Sequence, residues 1–570
     1  MRKSAGRVLA VAVTLALAAA CSPRSADDGR AVKAQAESSR SSLGAFLAGR
    51  FAQAHGDTRA AAEYYVAALR HDPENIDLLQ RAFTLQIAEG RLTEATPLAK
   101  RMLTFDADAP MPLVVMGVAE ATAGDYAAAE KRFAALPHKG INGFLGPLLS
   151  GWTKAGQGNT DAALEALAPL SKTTALAGVY EYHAALVTDL AERHKDAEHH
   201  YLSALAGQPN LRAVEAAGAY YQRSGRMDQA REIYGRFAGE RGERLPFNTD
   251  ARLALGAQLP RPVPSAKVGL AEAMFDTATL MRQGNSIDLS LVFTRLALAL
   301  NPDSPLARLL LGDVLAAQGR FVESNDIYRG LDAKSPAGLM GRLRIAVNLD
   351  EMNDIDGAIK ELRSLAEARP FDTDPLMATG DLLRRRKRFP EAVKAYGEAI
   401  DRVGATAEAR HWSLFFARGV AHERSGQWAK AEGDFLKALE LKADQPDVLN
   451  YLGYSWVDQG INLEKGRQMI EKAVSLRPND GAIVDSLGWA LYRMGEFQAA
   501  VKALERAVEL KPEDPTINDH LGDALWQVGR VGEARFQWQR ALTLDPEPDL
   551  LEPIRIKAET GALPAKPLAQ

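Results

Sequence analysis

The chain has 570 residues, more than one core of ~100–200 residues holds, so several domains or a repeat array are expected. Hydrophobic residues make up 46% and charged residues 25%, the composition of a folded protein rather than of a disordered polyelectrolyte. Lys and Arg (69) nearly balance Asp and Glu (73), which speaks against a nucleic-acid partner, and a single cysteine excludes an intramolecular disulfide or a cysteine-built metal site.

Residues 1–20 read as a signal peptide. Arg2, Lys3 and Arg7 form a positive start, and residues 8–20 form the one long apolar run of the chain, too short to span a bilayer comfortably. Cys21 stands where that run stops. Leu17-Ala18-Ala19-Ala20-Cys21 resembles a bacterial lipobox, with Leu17 one position earlier than usual. The resemblance implies cleavage before Cys21, lipidation of its thiol and, with Ser22 next, an outer-membrane lipoprotein facing the periplasm. The other reading is a secreted, soluble periplasmic protein in which Cys21 is incidental. Residues 21–41, rich in Ser, Ala, Asp and Arg, form a flexible tether behind the lipidated cysteine.

From residue 42 onward a period of 34 governs the chain. Leu487, Gly488, Leu491, Gly495, Ala500, Leu504, Ala507 and Pro512 recur as Leu521, Gly522, Leu525, Gly529, Ala534, Trp538, Ala541 and Pro546. Leu487 and Leu491 share one face of a first helix, and Ala500, Leu504 and Ala507 share one face of a second. Gly453, Gly488, Ala500, Ala507, Gly522, Ala534 and Ala541 are therefore the packing positions, small where paired helices approach. This pattern resembles the tetratricopeptide repeat. About fourteen units fit the frame: six in an N-terminal array (42–244) and eight in a C-terminal array (271–548). Between them, at 245–270, Pro246, Pro260, Pro262 and Pro264 break the frame, and this stretch is read as an elbow. Residues 549–570 form a tail.

The resemblance implies an all-α solenoid, a right-handed superhelix in two arms, whose first helices line a concave side that holds proteins or extended peptides. The groove candidates are Asn450, Tyr454, Trp489, Tyr492, Arg493, Asp519, Asp523 and Trp526. Aromatic side chains there offer large contact area at low entropy cost. The competing reading packs Trp489 and Trp526 between repeats. Asp485 and Asp519 stand where the carboxylate clamp of chaperone-binding members wants neutral or basic groups, so capture of a peptide C-terminus is not expected.

Two other clusters stand out. The basic run at 384–388 reads as a solvated helix end, with an acidic partner or anionic lipid as the alternative. His194, His199 and His200 match no metal-ligand spacing. No phosphate loop, nucleophile elbow or cofactor fingerprint appears, and tiling leaves no room for a catalytic domain, so neither an enzyme nor a cofactor is expected. Lipobox and full-length array together resemble the bacterial lipoprotein adaptors that recruit substrates to C-terminal processing proteases and so regulate cell-wall hydrolases. The alternative is an assembly factor for an envelope machine, such as a pilus, secretion channel or polysaccharide exporter.

Overall fold

The computed structural model describes residues 41–206, 210–241, 249–405 and 407–563. The signal peptide, Cys21, most of the tether, Pro246 and residues 564–570 lie outside them. Within the described residues the chain is an all-α solenoid of fourteen antiparallel helix pairs. Six run from Ser42–Ala54 with Thr58–His71 to Leu211–Arg223 with Met227–Arg241. Eight run from Ala266–Gln283 with Ile287–Leu300 to Pro515–Gln527 with Val531–Leu542.

The repeat residues account for this local structure. Asp480 and Asp514 cap first helices by accepting the N–H groups of Ala482 and Ile483, and of Thr516 and Ile517. Pro515 fits the first helical position, where no N–H is needed. Gly495 and Gly529, both at φ 82°, make the turn between helices, a left-handed conformation that costs glycine nothing. A Cβ on Gly488 would sit 2.5 Å from the Leu504 side chain, and one on Gly522 would sit 2.5 Å from the Trp538 indole. Gly453 differs. It faces the backbone carbonyl of Gly466 at 2.7 Å, so this pair meets main chain to main chain. Ala500, Ala507, Ala534 and Ala541 are fully buried on the opposing helices.

Two compact units, Met1–Asn353 and Asp354–Gln570, divide the chain. The division falls well after the proline-rich stretch. That stretch holds a short helix, Thr249–Ala254, and a 3-10 turn, Gly256–Gln258, before the helix Ala266–Gln283 begins.

In the first unit the hairpin Ala266–Leu300 packs on the first helices of the N-terminal pairs. A Cβ on Gly269 would lie 2.1 Å from the buried Trp152 ring, so glycine alone lets the hairpin seat. Trp152 Nε1 donates to His183 Nδ1 at 2.9 Å, and His183 Nε2 meets Asp276 at 2.9 Å. Arg212 pairs with Asp276 and, at 2.6 Å, with Glu272. Burial alone would raise the Asp276 carboxyl; Arg212 and His183 outweigh it and hold the group below the usual carboxylate range. Farther along, Arg295 Nε donates to the carbonyl of Ala88 at 3.0 Å, and Arg320 pairs with Glu89 at 3.1 Å. One hydrophobic cluster joins these elements from Ala45 to Ala307.

In the second unit the last pair is followed by a further helix, Pro548–Thr560, inside the segment read from sequence as a tail. It buries Ile554 and Ala558 against Trp538 and Ala541, so it closes the apolar end of the stack.

Candidate functional site

The candidate groove lies on the first helices Pro446–Asp458, Gly481–Arg493 and Pro515–Gln527 of the second unit. Matching positions on successive first helices place Tyr454, Trp489 and Asp523 in one column, with Asn450, Asp485 and Asp519 in another. Tyr454, Trp489, Tyr492 and Trp526 are all half-buried.

The structure brings some of the aromatic residues together. Trp489 stacks on Tyr492 at 4.9 Å and on His520 at 4.1 Å, with interplanar angles of 13° and 17°. Tyr492 meets Phe497 edge-on at 5.5 Å and accepts from Gln527 at 3.4 Å. Trp526 and Tyr492 both pack against the C-terminal core. Tyr454 makes no ring pair among the described contacts. Burial, then the charges of Asp458 and Asp485, push its phenol well above the ordinary value. Arg493 pairs with Asp458 at 3.0 Å. The indole N–H of Trp489 and the amide oxygen of Asn450 have no hydrogen-bond partner among the described residues.

His520 and Lys557 were not legible as site residues. His520 binds Asp485 at 3.0 Å. Burial would lower the imidazole, but Asp485 prevails, aided by Asp519 and Asp523, and raises it, which favours the charged ring against Trp489. Lys557, from the closing helix, binds Asp519 at 2.6 Å and Asp523 at 2.9 Å. Asp523 also accepts from Trp538 Nε1 at 2.8 Å. Asp519 and Asp523 are therefore buried and engaged inside the fold, and the open part of the predicted groove is the aromatic strip with Asn450 and Arg493. His520 sits one residue outside the repeat's marked positions, and Lys557 lies beyond the last repeat, so the 34-residue frame flags neither.

The other clusters stay within the fold. Arg384 lies against Asp381 and Tyr396, and Arg388 pairs with Glu391 at 2.6 Å, as a helix end with its own counter-charges does. His200 binds Glu181 at 2.7 Å. Among the described residues no group of three or more His, Cys, Asp or Glu could hold a metal ion. No helix of the described residues is long and apolar enough to cross a membrane.

The sequence signature described as "Tetratricopeptide repeat" matches residues 52–111, 293–338, 343–408, 388–448 and 486–547. These stretches of the chain match the tetratricopeptide repeat, in line with its all-α solenoid of helix pairs. It is 26% identical over 200 residues to the TPR repeat-containing protein PA4667 of Pseudomonas aeruginosa; the match covers 33% of this chain and about a third (32%) of that relative's length. Among solved structures, a chain of the APC/C hetero-tetramer Cut9-Hcn1 is similar over 92% of this chain and 98% of its own length, at 14% identity and a TM-score of 0.37. YrrB, described as a TPR protein with an unusual peptide-binding site, is similar over 35% of this chain and 97% of its own, at 18% identity and a TM-score of 0.28.

Proposed function

We propose that this tetratricopeptide-repeat chain is a non-enzymatic interaction scaffold, anchored through Cys21 to the periplasmic face of the outer membrane, that holds a partner protein on the first-helix face of its C-terminal pairs. The observation that carries the placement is a contrast between the two units. In the first, the chain's own hairpin Ala266–Leu300 occupies the first-helix surface of the N-terminal pairs, locked by Arg212, Asp276 and His183. In the second, Tyr454, Trp489, Tyr492 and Trp526 stay partly open to solvent on neighbouring first helices. Rigid, partly exposed aromatic groups are what a protein segment can cover with gain, because they offer large contact area at low entropy cost. The lipobox-like stretch ending at Cys21 supports the anchor, and its pairing with a full-length array supports recruitment of substrates to a processing protease as the role.

The test is site-specific photo-crosslinking in cells. A photoreactive phenylalanine at Tyr454 or Tyr492 should capture a discrete partner, identified by mass spectrometry as a periplasmic protease, hydrolase or envelope component. The same probe at Phe536, exposed on a second helix, should not. Capture at Phe536 with none at Tyr454 and Tyr492 would contradict the placement.

A further inference from the structure

The helix Ser42–Ala54 opens the stack of the first unit. On it Leu43, Leu47 and Phe51, spaced four apart, share one face and are 66%, 54% and 67% exposed. Relative to the first-helix glycine, Leu47 and Phe51 stand two before and two after Gly49, as Ser486 and Ala490 flank Gly488. Ser486 and Ala490 are buried, and Ala490 packs on Val457 and Ile470 of the preceding pair. Among the described residues no pair precedes Ser42, and none of them covers the face that each later repeat turns to its predecessor.

Three facts narrow what covers it. Twenty residues separate Cys21 from Ser42, and Val32 is the one large aliphatic or aromatic residue among them, so that stretch cannot match two leucines and a phenylalanine. Three side chains expose far less than the ~800 Å² per partner of a stable protein interface, which disfavours a second copy. The helix carries no acidic residue; its one charged residue is Arg50, lying over Phe46, and the His55 ring lies tilted against Phe51 at 4.0 Å. An apolar face on a helix whose one charge is the cation of Arg50 suits the boundary between lipid headgroups and acyl chains, where no shape complementarity is required.

We propose that the Leu43–Leu47–Phe51 face is a membrane-contact surface that lies on the bilayer holding the lipidated Cys21. The proposal rests on the lipoprotein reading above. A 20-residue tether reaches up to ~70 Å and by itself leaves the array free to tumble. A second contact at the first helix makes the attachment two-point and holds the start of the array at the membrane.

Because Cys21 is the one native cysteine and its thiol is blocked by lipid, a cysteine introduced elsewhere can carry a fluorophore selectively. Lipidated full-length Leu47→Cys and Phe51→Cys, labelled with a polarity-sensitive dye, are reconstituted into vesicles of phosphatidylethanolamine and phosphatidylglycerol (3:1). Phe371→Cys, 93% exposed in the second unit, is the control. The surface predicts a blue shift and loss of most emission to acyl-chain nitroxides at 47 and 51, and neither at 371. Water-like emission at 47 and 51 in protein shown to be lipidated overturns it. So does a blue shift without nitroxide quenching, which would mean that a second copy covers the face. Quenching at 47 and 51 in protein that carries no lipid would instead sink the anchor reading and leave this surface standing.

Discussion

At the scale of single residues, the tightest constraints sit where paired helices touch. Ala500 is fully buried in the cluster of Leu491, Leu504, Leu521 and Trp538, on the helix opposite Gly488. Ala500→Phe overfills that contact and is expected to cost ~1–3 kcal/mol in chemical denaturation; unchanged stability would mean the pair is looser than drawn. His520 tests the electrostatics. Its imidazole is raised by Asp485, so its contribution is fully present below the unfolded value of about 6.5 and is lost as pH rises through the raised folded value. The stability gap between the parent and His520→Gln should therefore be widest below pH 6.5 and shrink on the alkaline side. A gap independent of pH would show that the imidazole is not charged against Asp485. His520 was hidden in the sequence because its partner is 35 residues away, on the preceding first helix, and a repeat motif marks packing positions rather than ion pairs.

At the scale of elements, the helix pairs were legible and their long-range partners were not. Gly488 with Leu504, and Gly522 with Trp538, are small-to-large contacts fixed within one repeat, and a period of 34 displays them directly. The seating of Gly269 on Trp152 joins elements more than a hundred residues apart; it follows from the summed small rotation of many repeats, which no local pattern encodes. The closing helix Pro548–Thr560 was missed for another reason. Pro553 reads as a breaker but lies inside the helix, and the repeat frame had already ended. Its Lys557 neutralises two buried carboxylates. Lys557→Ala leaves Asp519 and Asp523 facing each other without a cation and is expected to destabilise the second unit by about 3–5 kcal/mol, read from urea midpoints. A change of a few tenths would mean that water or another cation compensates.

At the scale of the whole molecule, the sequence carried the architecture further than it carried the site. Of the eight groove candidates, Asp519 and Asp523 serve the closing helix, whereas Arg493, paired with Asp458, and Trp489, stacked on His520 and Tyr492, keep part of their surface open. The strip that stays open is a subset that inward-facing periodicity alone does not separate from packing. Anchoring is tested apart from binding: Cys21→Ala should abolish labelling by an alkyne fatty acid and release the protein from membranes, and persistent labelling would contradict the lipid anchor. The central claim, that the C-terminal first-helix face holds the partner, is tested most directly by partner capture with a variant carrying Tyr454→Ala, Tyr492→Ala and Trp526→Ala. The account predicts unchanged helical content by circular dichroism and loss of most of the partner recovered with the parent protein. Full recovery of that partner by the folded variant would contradict it.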